Sequence, residues 1–138
     1  MRVFLDANIL FSAAKTDGAV RRFLKQLIDA GHTCVADDYV VAEARRNLMR
    51  KGPQQVAVLE ALLLGLEPAA AVAGADSARE AAWLPPKDRP VLASAIRQRC
   101  DVLLTGDRAD FGSGYGRTFG GVAIHSPLSL LEHLFPLP

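Results

Sequence analysis

The apolar run Val3-Phe4-Leu5 stops at a carboxylate, Asp6, and a second apolar stretch, Ile9-Leu10-Phe11, leads into small residues. This spacing predicts a short buried strand ending at Asp6. From Gly18 to Ala30 the apolar positions Val20, Phe23, Leu24, Leu27 and Ile28 recur with helical period, and Gly31 supplies the stop. Thr33-Cys34-Val35-Ala36 fits a second strand. Asp37 or Asp38 is placed to cap a helix running through Val40, Val41, Ala44 and Leu48 to Gly52-Pro53, which puts Glu43 in its first or second turn.

Pro53 suits the first turn of a further helix carrying Val56, Leu59, Leu62 and Leu63. The segment from Leu66 to Val72 fits a short strand or a loop, and Asp76 to Trp83 reads as another helix ending before Pro85-Pro86. Lys87-Asp88-Arg89-Pro90 opens a helix of Val91, Leu92, Ala95 and Ile96, with Asp88 where an N-cap belongs. Asp101 to Thr105 reads as a third strand, broken at Gly106-Asp107. After a Gly-rich segment from Gly112 to Gly121, taken as a mobile loop, Val122-Ala123-Ile124 forms the last strand and Ser126-Pro127 starts a final helix. Short apolar strands alternating with helices predict an α/β domain with a mostly parallel central sheet and helices on both faces. Ligands in such sheets bind beyond the carboxyl ends of the strands, where Asp6 and Asp107 both fall.

Composition narrows the class. The 138 residues are 50% hydrophobic and 22% charged, as expected of one compact domain spanning 1–138 rather than a disordered chain. Sixteen basic against fifteen acidic residues leave a net charge of +1, so attraction to nucleic acid or membrane must be local. Cys34 and Cys100 are too few for a disulfide framework and lack zinc-site spacing, which suits two buried thiols in a reducing cytoplasm. The N-terminal apolar run is too short for a secretory signal, and Glu60 and Gly65 interrupt the Leu-rich stretch from Val56 to Leu66. A cytoplasmic protein is the expectation.

Four carboxylates fall where the local pattern gives little structural reason for an ionised group: Asp6, Glu43, Asp88 and Asp107. Asp6 directly follows an apolar strand, with no capping role visible in the pattern. Asp88 alone could be an N-cap, Asp107 a turn residue and Glu43 part of a solvated helix face. Brought together, like charges within about 4–6 Å raise one another's pKa, so such a cluster calls for a neutraliser. A hard divalent cation, Mg²⁺ or Mn²⁺, is the natural one, with Asn8 as an added oxygen ligand or supporting donor. The chemistry implied is phosphodiester hydrolysis. Asp110 is a further acid within reach.

The Asp6-Ala7-Asn8 start, Tyr39-Val40-Val41-Ala42-Glu43, Lys87 to Ala95, and Leu103-Leu104-Thr105-Gly106-Asp107-Arg108-Ala109-Asp110-Phe111 resemble, in order, the successive motifs of PIN domains. The resemblance implies a three-layer α/β/α sandwich and Mg²⁺- or Mn²⁺-dependent cleavage of single-stranded or structured RNA, as in toxin members of bacterial toxin-antitoxin pairs. It implies that Asp6, Glu43, Asp88 and Asp107 are the metal-binding acids, supported by Thr105 and Asn8. Many toxin members carry Asn at the place of Asp107 and keep the acid at that of Asp110. This chain has both, which leaves two candidates for the fourth ligand.

Arg45, Arg46, Arg50 and Lys51 follow Glu43 without an intervening acid, a basic patch suited to RNA phosphates, with Arg45 and Arg46 the candidate contacts. They suit an acidic partner or a solvated face equally. Arg21, Arg22 and Lys25 form a second cluster, for which a solvated face is the simpler assignment. Tyr115 is the candidate base platform. The three histidines lack mutual metal-ligand spacing. Trp83 and the Leu-rich helix are candidates for a homodimer face or for an antitoxin's helix, although core packing explains both. Two rival classes remain open: a haloacid-dehalogenase-like phosphatase, which would leave Glu43 unused and has Asn8 where a second Asp is usual, and a non-catalytic RNA- or protein-binding module.

Overall fold

The computed structural model describes residues 1–72 and 79–138. Its strands are β1 (Arg2–Leu5), β2 (Thr33–Asp37), β3 (Glu67–Ala69), β4 (Val102–Leu104), β5 (Thr118–Phe119) and β6 (Val122–His125). Its helices are α1 (Ala7–Lys15), α2 (Ala19–Asp29), α3 (Asp38–Lys51), α4 (Val56–Leu63), α5 (Arg89–Arg97), α6 (Arg108–Phe111) and α7 (Pro127–Leu134). Among the described residues the six strands form one sheet in the order β3-β2-β1-β4-β6-β5. Every pairing is parallel except that of β5 with β6. The expected α/β/α architecture is therefore present.

Val3, Phe4, Leu5, Leu103 and Leu104 are fully buried, which explains why β1 and β4 read as continuous apolar runs rather than alternating ones. From β1 the chain steps outward through β2 to β3, then crosses to β4 on the other side of β1. The reversal lies between β1 and β4, the switch point at which open parallel sheets leave a crevice beyond the strand ends. Asp6 N–H donates to the Leu104 carbonyl at 3.0 Å and locks the two strand ends together.

Several elements depart from the sequence expectation. Ala7–Lys15 is a helix that the periodicity did not reveal, because its apolar residues continue the run of β1. Ile9, Leu10, Ala13 and Ala14 are its buried stripe. The helix expected over Asp76 to Trp83 lies partly outside the described residues, and its described part forms a 3₁₀ turn, Arg79–Ala81. The Gly-rich segment, expected to be a mobile loop, forms α6, a 3₁₀ turn (Gly112–Gly114) and the β5–β6 hairpin. Gly120 and Gly121 make that hairpin possible, with φ of 56° and 85° at the two turn positions. Trp83 stacks on Phe119 at 4.8 Å and meets Phe111 edge-on at 6.4 Å, so it packs against this region.

The Leu-rich helix buries Leu59 fully and leaves Leu64, just past its end, exposed. Cys34 and Cys100 are free and buried, and burial pushes each thiol up to about 11. Among the described residues no helix is long and apolar enough to cross a membrane. Leu103 sits in β4 opposite Phe4 of β1 and Ile124 of β6, at the middle of the sheet. Leu103→Ala is expected to cost about 2–5 kcal/mol. The check is a lower urea midpoint with an unchanged denaturant slope.

Candidate metal centre

Asp6 emerges where β1 ends and is the N-cap of α1, its Oδ1 accepting the Ala7 N–H at 2.7 Å. This capping role corrects the expectation that Asp6 has none, and it went unseen because α1 itself did. Its other oxygen, Oδ2, accepts from Thr105 Oγ1 at 2.8 Å and from Asn8 Nδ2 at 3.1 Å. Thr105, fully buried, also accepts the Asp107 N–H at 3.1 Å. Asn8 Oδ1 accepts the Gly106 N–H at 2.7 Å. Asn8 therefore braces the end of β1 against the end of β4, and its carbonyl is already occupied by protein.

Asp88 occupies the N-cap position of α5, yet its side chain makes no capping bond. Its Oδ2 is buried without a hydrogen-bond partner among the described residues. Asp37 Oδ2 and Ser94 Oγ are also buried and unpartnered among the described residues, but only Asp88 of the three lines the acidic cleft. Tyr39 Oη donates to the Lys87 carbonyl at 2.6 Å and so ties the segment before Asp88 to α3. Asp107 caps α6, with Oδ1 accepting the Asp110 N–H at 3.0 Å. Glu43 projects from the second turn of α3.

Asp6, Glu43, Asp88 and Asp107 all line one cleft of about 380 Å³, together with Asn8. Asp110 is adjacent: one oxygen each of Asp88, Asp107 and Asp110 lie within 4.8 Å of one another. Lys87 Nζ meets Asp110 Oδ2 at 3.2 Å. Burial pushes Asp6 up to about 6, and the charges of Glu43 and Asp107 add to this against the opposing hydrogen bonds from Thr105 and Ala7. Burial, then the facing Asp110 carboxylate, push Asp88 up as well. Asp110 is held below the usual carboxylate range by its pairing with Asp88 and by the Lys87 ammonium. The acids thus come together with too little positive charge from the protein, and an all-oxygen donor set of this kind suits a hard divalent cation.

The basic candidates separate. Arg45 turns to Glu60 in a two-pronged ion pair at 2.6 and 2.9 Å and lines a different cavity. Arg46 is exposed and does not line the acidic cleft, although its charge reaches Tyr39. Among the described residues the cations that do line the cleft are Lys51 and Lys87, with Asn47 as a neutral polar neighbour. Sequence reasoning gave Lys87 and Asn47 no role. The available signal was the i, i+4, i+8 row Glu43-Asn47-Lys51 on one face of α3.

Arg21 hydrogen-bonds the carbonyls of Ala13 and Ala14, which makes it a brace for the end of α1. Tyr115, expected to be a free platform, is half-buried and donates its hydroxyl to the Thr105 carbonyl at 3.2 Å. His125 and His133 approach with ring centroids 5.5 Å apart, and His125 meets Ser129 Oγ through Nδ1 at 2.9 Å.

Because Asp6 holds its proton to a higher pH in the folded protein than in the unfolded chain, metal-free stability falls as pH rises from about 4 through 6. In EDTA the melting temperature is expected to drop between pH 5 and 7.5, and to drop less in Asp6→Asn. Equal drops in the two proteins would remove Asp6 as the cause.

No curated protein sequence matches the chain. Among solved structures, VapBC2 from Rickettsia felis bound to a promoter DNA fragment is similar with a TM-score of 0.65 and 16% identity, over 91% of this chain and 98% of that one. VapC20 of Mycobacterium tuberculosis, a toxin that cleaves the sarcin-ricin loop, is similar with a TM-score of 0.61 and 12% identity, over 85% and 98%. A toxin-antitoxin complex from Klebsiella pneumoniae follows with a TM-score of 0.59 and 21% identity, over 88% and 95%. At these identities the likeness is one of fold. The sequence profile of the PIN domain matches residues 2–109, which include the strand ends and all four acids of the cleft, and the chain belongs to the PIN domain family.

Proposed function

We propose that this protein is a single-domain, Mg²⁺- or Mn²⁺-dependent endoribonuclease acting in the cytoplasm, and that it is the toxin of a toxin-antitoxin pair. The observation that carries the reading is the convergence of Asp6, Glu43, Asp88 and Asp107 on one cleft, with an Asp88 oxygen buried and unpartnered. These four would hold the cation, with Asp110 reaching it beside Asp107. When bound, such a cation supplies activation of a water and stabilisation of charge on the scissile phosphate.

The protein's own contributions are orientation and charge. Thr105, Asn8 and the Ala7 N–H hold the Asp6 carboxylate in a single orientation. Asp88, which tends to keep a proton when no cation is present, would release it on binding one, so affinity for the metal should weaken at low pH. Lys51 and Lys87 put positive charge on the cleft for backbone phosphates. Arg45 and Arg46, proposed from the sequence for that task, are less suited to it, since Arg45 lines a different cavity and Arg46 does not line the acidic cleft.

The phosphatase alternative is weakened by Asn8, whose amide is committed to Asp6, Thr105 and Gly106, and by the presence of Glu43 in the cleft. A non-catalytic module has no electrostatic reason to keep mutually repelling acids. The antitoxin partner is supported by the similar toxin-antitoxin complex from Klebsiella pneumoniae. A homodimer through the Leu-rich helix, with Leu64 exposed beside it, completes the proposed assembly.

The test is cleavage of a mixed RNA pool by the purified protein with Mg²⁺ or Mn²⁺, beside an EDTA control. Asp6→Asn should lower the rate by about 100-fold or more, the scale of several kcal/mol of lost charge stabilisation. Cleavage that survives EDTA, or full activity of Asp6→Asn, would overturn the assignment.

A further inference from the structure

We propose that the acidic cleft continues past Phe11 into a subsite for one unstacked nucleotide of a single-stranded RNA, with Phe11 as the base platform and Lys15 and Lys51 on the flanking phosphates. The inference rests on the nuclease reading above and places one base and its flanking phosphates of that substrate on this chain's own residues.

Phe11, half-buried on α1, lines the acidic cleft and also a second cavity of about 340 Å³. It is the wall that the two share. Lys51 Nζ lies 5.8 Å from the centroid of the Phe11 ring, within reach of a cation–π contact. Lys15, one helical turn beyond Phe11, lines the second cavity. Its stem crosses Gly52, where a Cβ would come within 2.8 Å of Lys15 Cδ. The absence of a side chain at Gly52 therefore lets Lys15, at the end of α1, pass close to the end of α3, where Lys51 sits.

The charge pattern favours a polyanion. Among the described residues no acid lines the second cavity, and Ser12 and Thr16 add hydroxyl donors to it. Among the described residues neither Lys15 nor Lys51 has a carboxylate within 4.0 Å, and the nearby Asp17 is paired with Arg21 at 3.7 Å. A phosphate held at the acids would thus have its neighbour along the chain beside two free ammonium groups. Among the described residues Phe11 is also the one aromatic side chain lining the acidic cleft. A base in duplex is already stacked on its neighbours and cannot lie on Phe11 without being pulled out, whereas a single strand or loop offers its π-face.

The test uses the full chain carrying Asp6→Asn, which prevents cleavage, and a single-stranded RNA of about ten nucleotides with one 2-aminopurine, beside a blunt duplex of that strand with its complement. Stacking is expected to quench the 2-aminopurine. Adding Phe11→Leu should weaken single-strand binding about tenfold and abolish the quench. Phe11→Tyr should restore both, and melting temperatures report whether each variant is folded. Replacing Lys15 and Lys51 by Gln should reduce the slope of log affinity against log salt by about 1.4, two single-strand phosphate contacts.

Unchanged affinity and quench in Phe11→Leu would overturn the subsite, as would equal binding of the duplex. Loss of a protein partner in Phe11→Leu with RNA binding intact would overturn it in favour of a peptide groove. The readout is binding, so the two readings fail separately. A Phe11-dependent quench without metal-dependent cleavage would sink the nuclease reading alone, and metal-dependent cleavage with Phe11-independent binding would sink the subsite alone.

Discussion

Everything at the cleft depends on keeping the Asp6 carboxyl, only 5% exposed, at the dry end of the central strand. Burial disfavours its charge, and the protein answers with fixed donors rather than with a cation. The Ala7 N–H, the Thr105 hydroxyl and the Asn8 amide occupy its two oxygens, and the same Thr105 and Asn8 bind the backbone after β4. One small polar network thus does two things: it fixes the carboxylate, and it fastens the two strands whose ends form the crevice. Loosening either would loosen the other.

The acids around Asp6 divide by how much freedom they keep. Asp107 gives one oxygen to capping α6, as Asp6 gives one to α1, so a short helix start orients each of these carboxylates. Asp88 has the backbone position of a cap without the bond, and its buried oxygen is left unpartnered. An unpaired buried acceptor costs about 1–3 kcal/mol, which the fold tolerates here and in few other places. Such local strain is typical of sites whose ligand completes them.

Beyond the acids the surface changes sign over a short distance. Lys87 sits beside Asp110, and Lys51 and Lys15 gather around Phe11 at the meeting of α1 and α3. The basic residues that look most prominent along the chain do other work. Arg45 staples α3 to α4 through Glu60, and Arg21 closes the end of α1. Density of charge along the sequence is therefore a poor guide to which charges face the cleft, because successive helical residues point about 100° apart.

The α/β class, the parallel sheet and Asp6 were legible in the sequence, because buried strands must be continuously apolar and a carboxylate that ends such a run stands out. Glu43, Asp88 and Asp107 each had an ordinary local role available, and it was the ordered motifs that joined them to Asp6. Helix α1 was not legible, since its apolar residues continue those of β1 and periodicity cannot separate a short buried helix from a strand. The ordering of the Gly-rich segment was hidden too, because it depends on Trp83, Phe111 and Phe119 meeting from distant parts of the chain. Only the tertiary structure decided which cations face the acids, that Tyr115 is held by Thr105, and that Phe11 separates two cavities. Sequence records which side chains a segment can bury. Which polar groups then meet across the sheet is set by strand order and helix packing, and these are long-range properties.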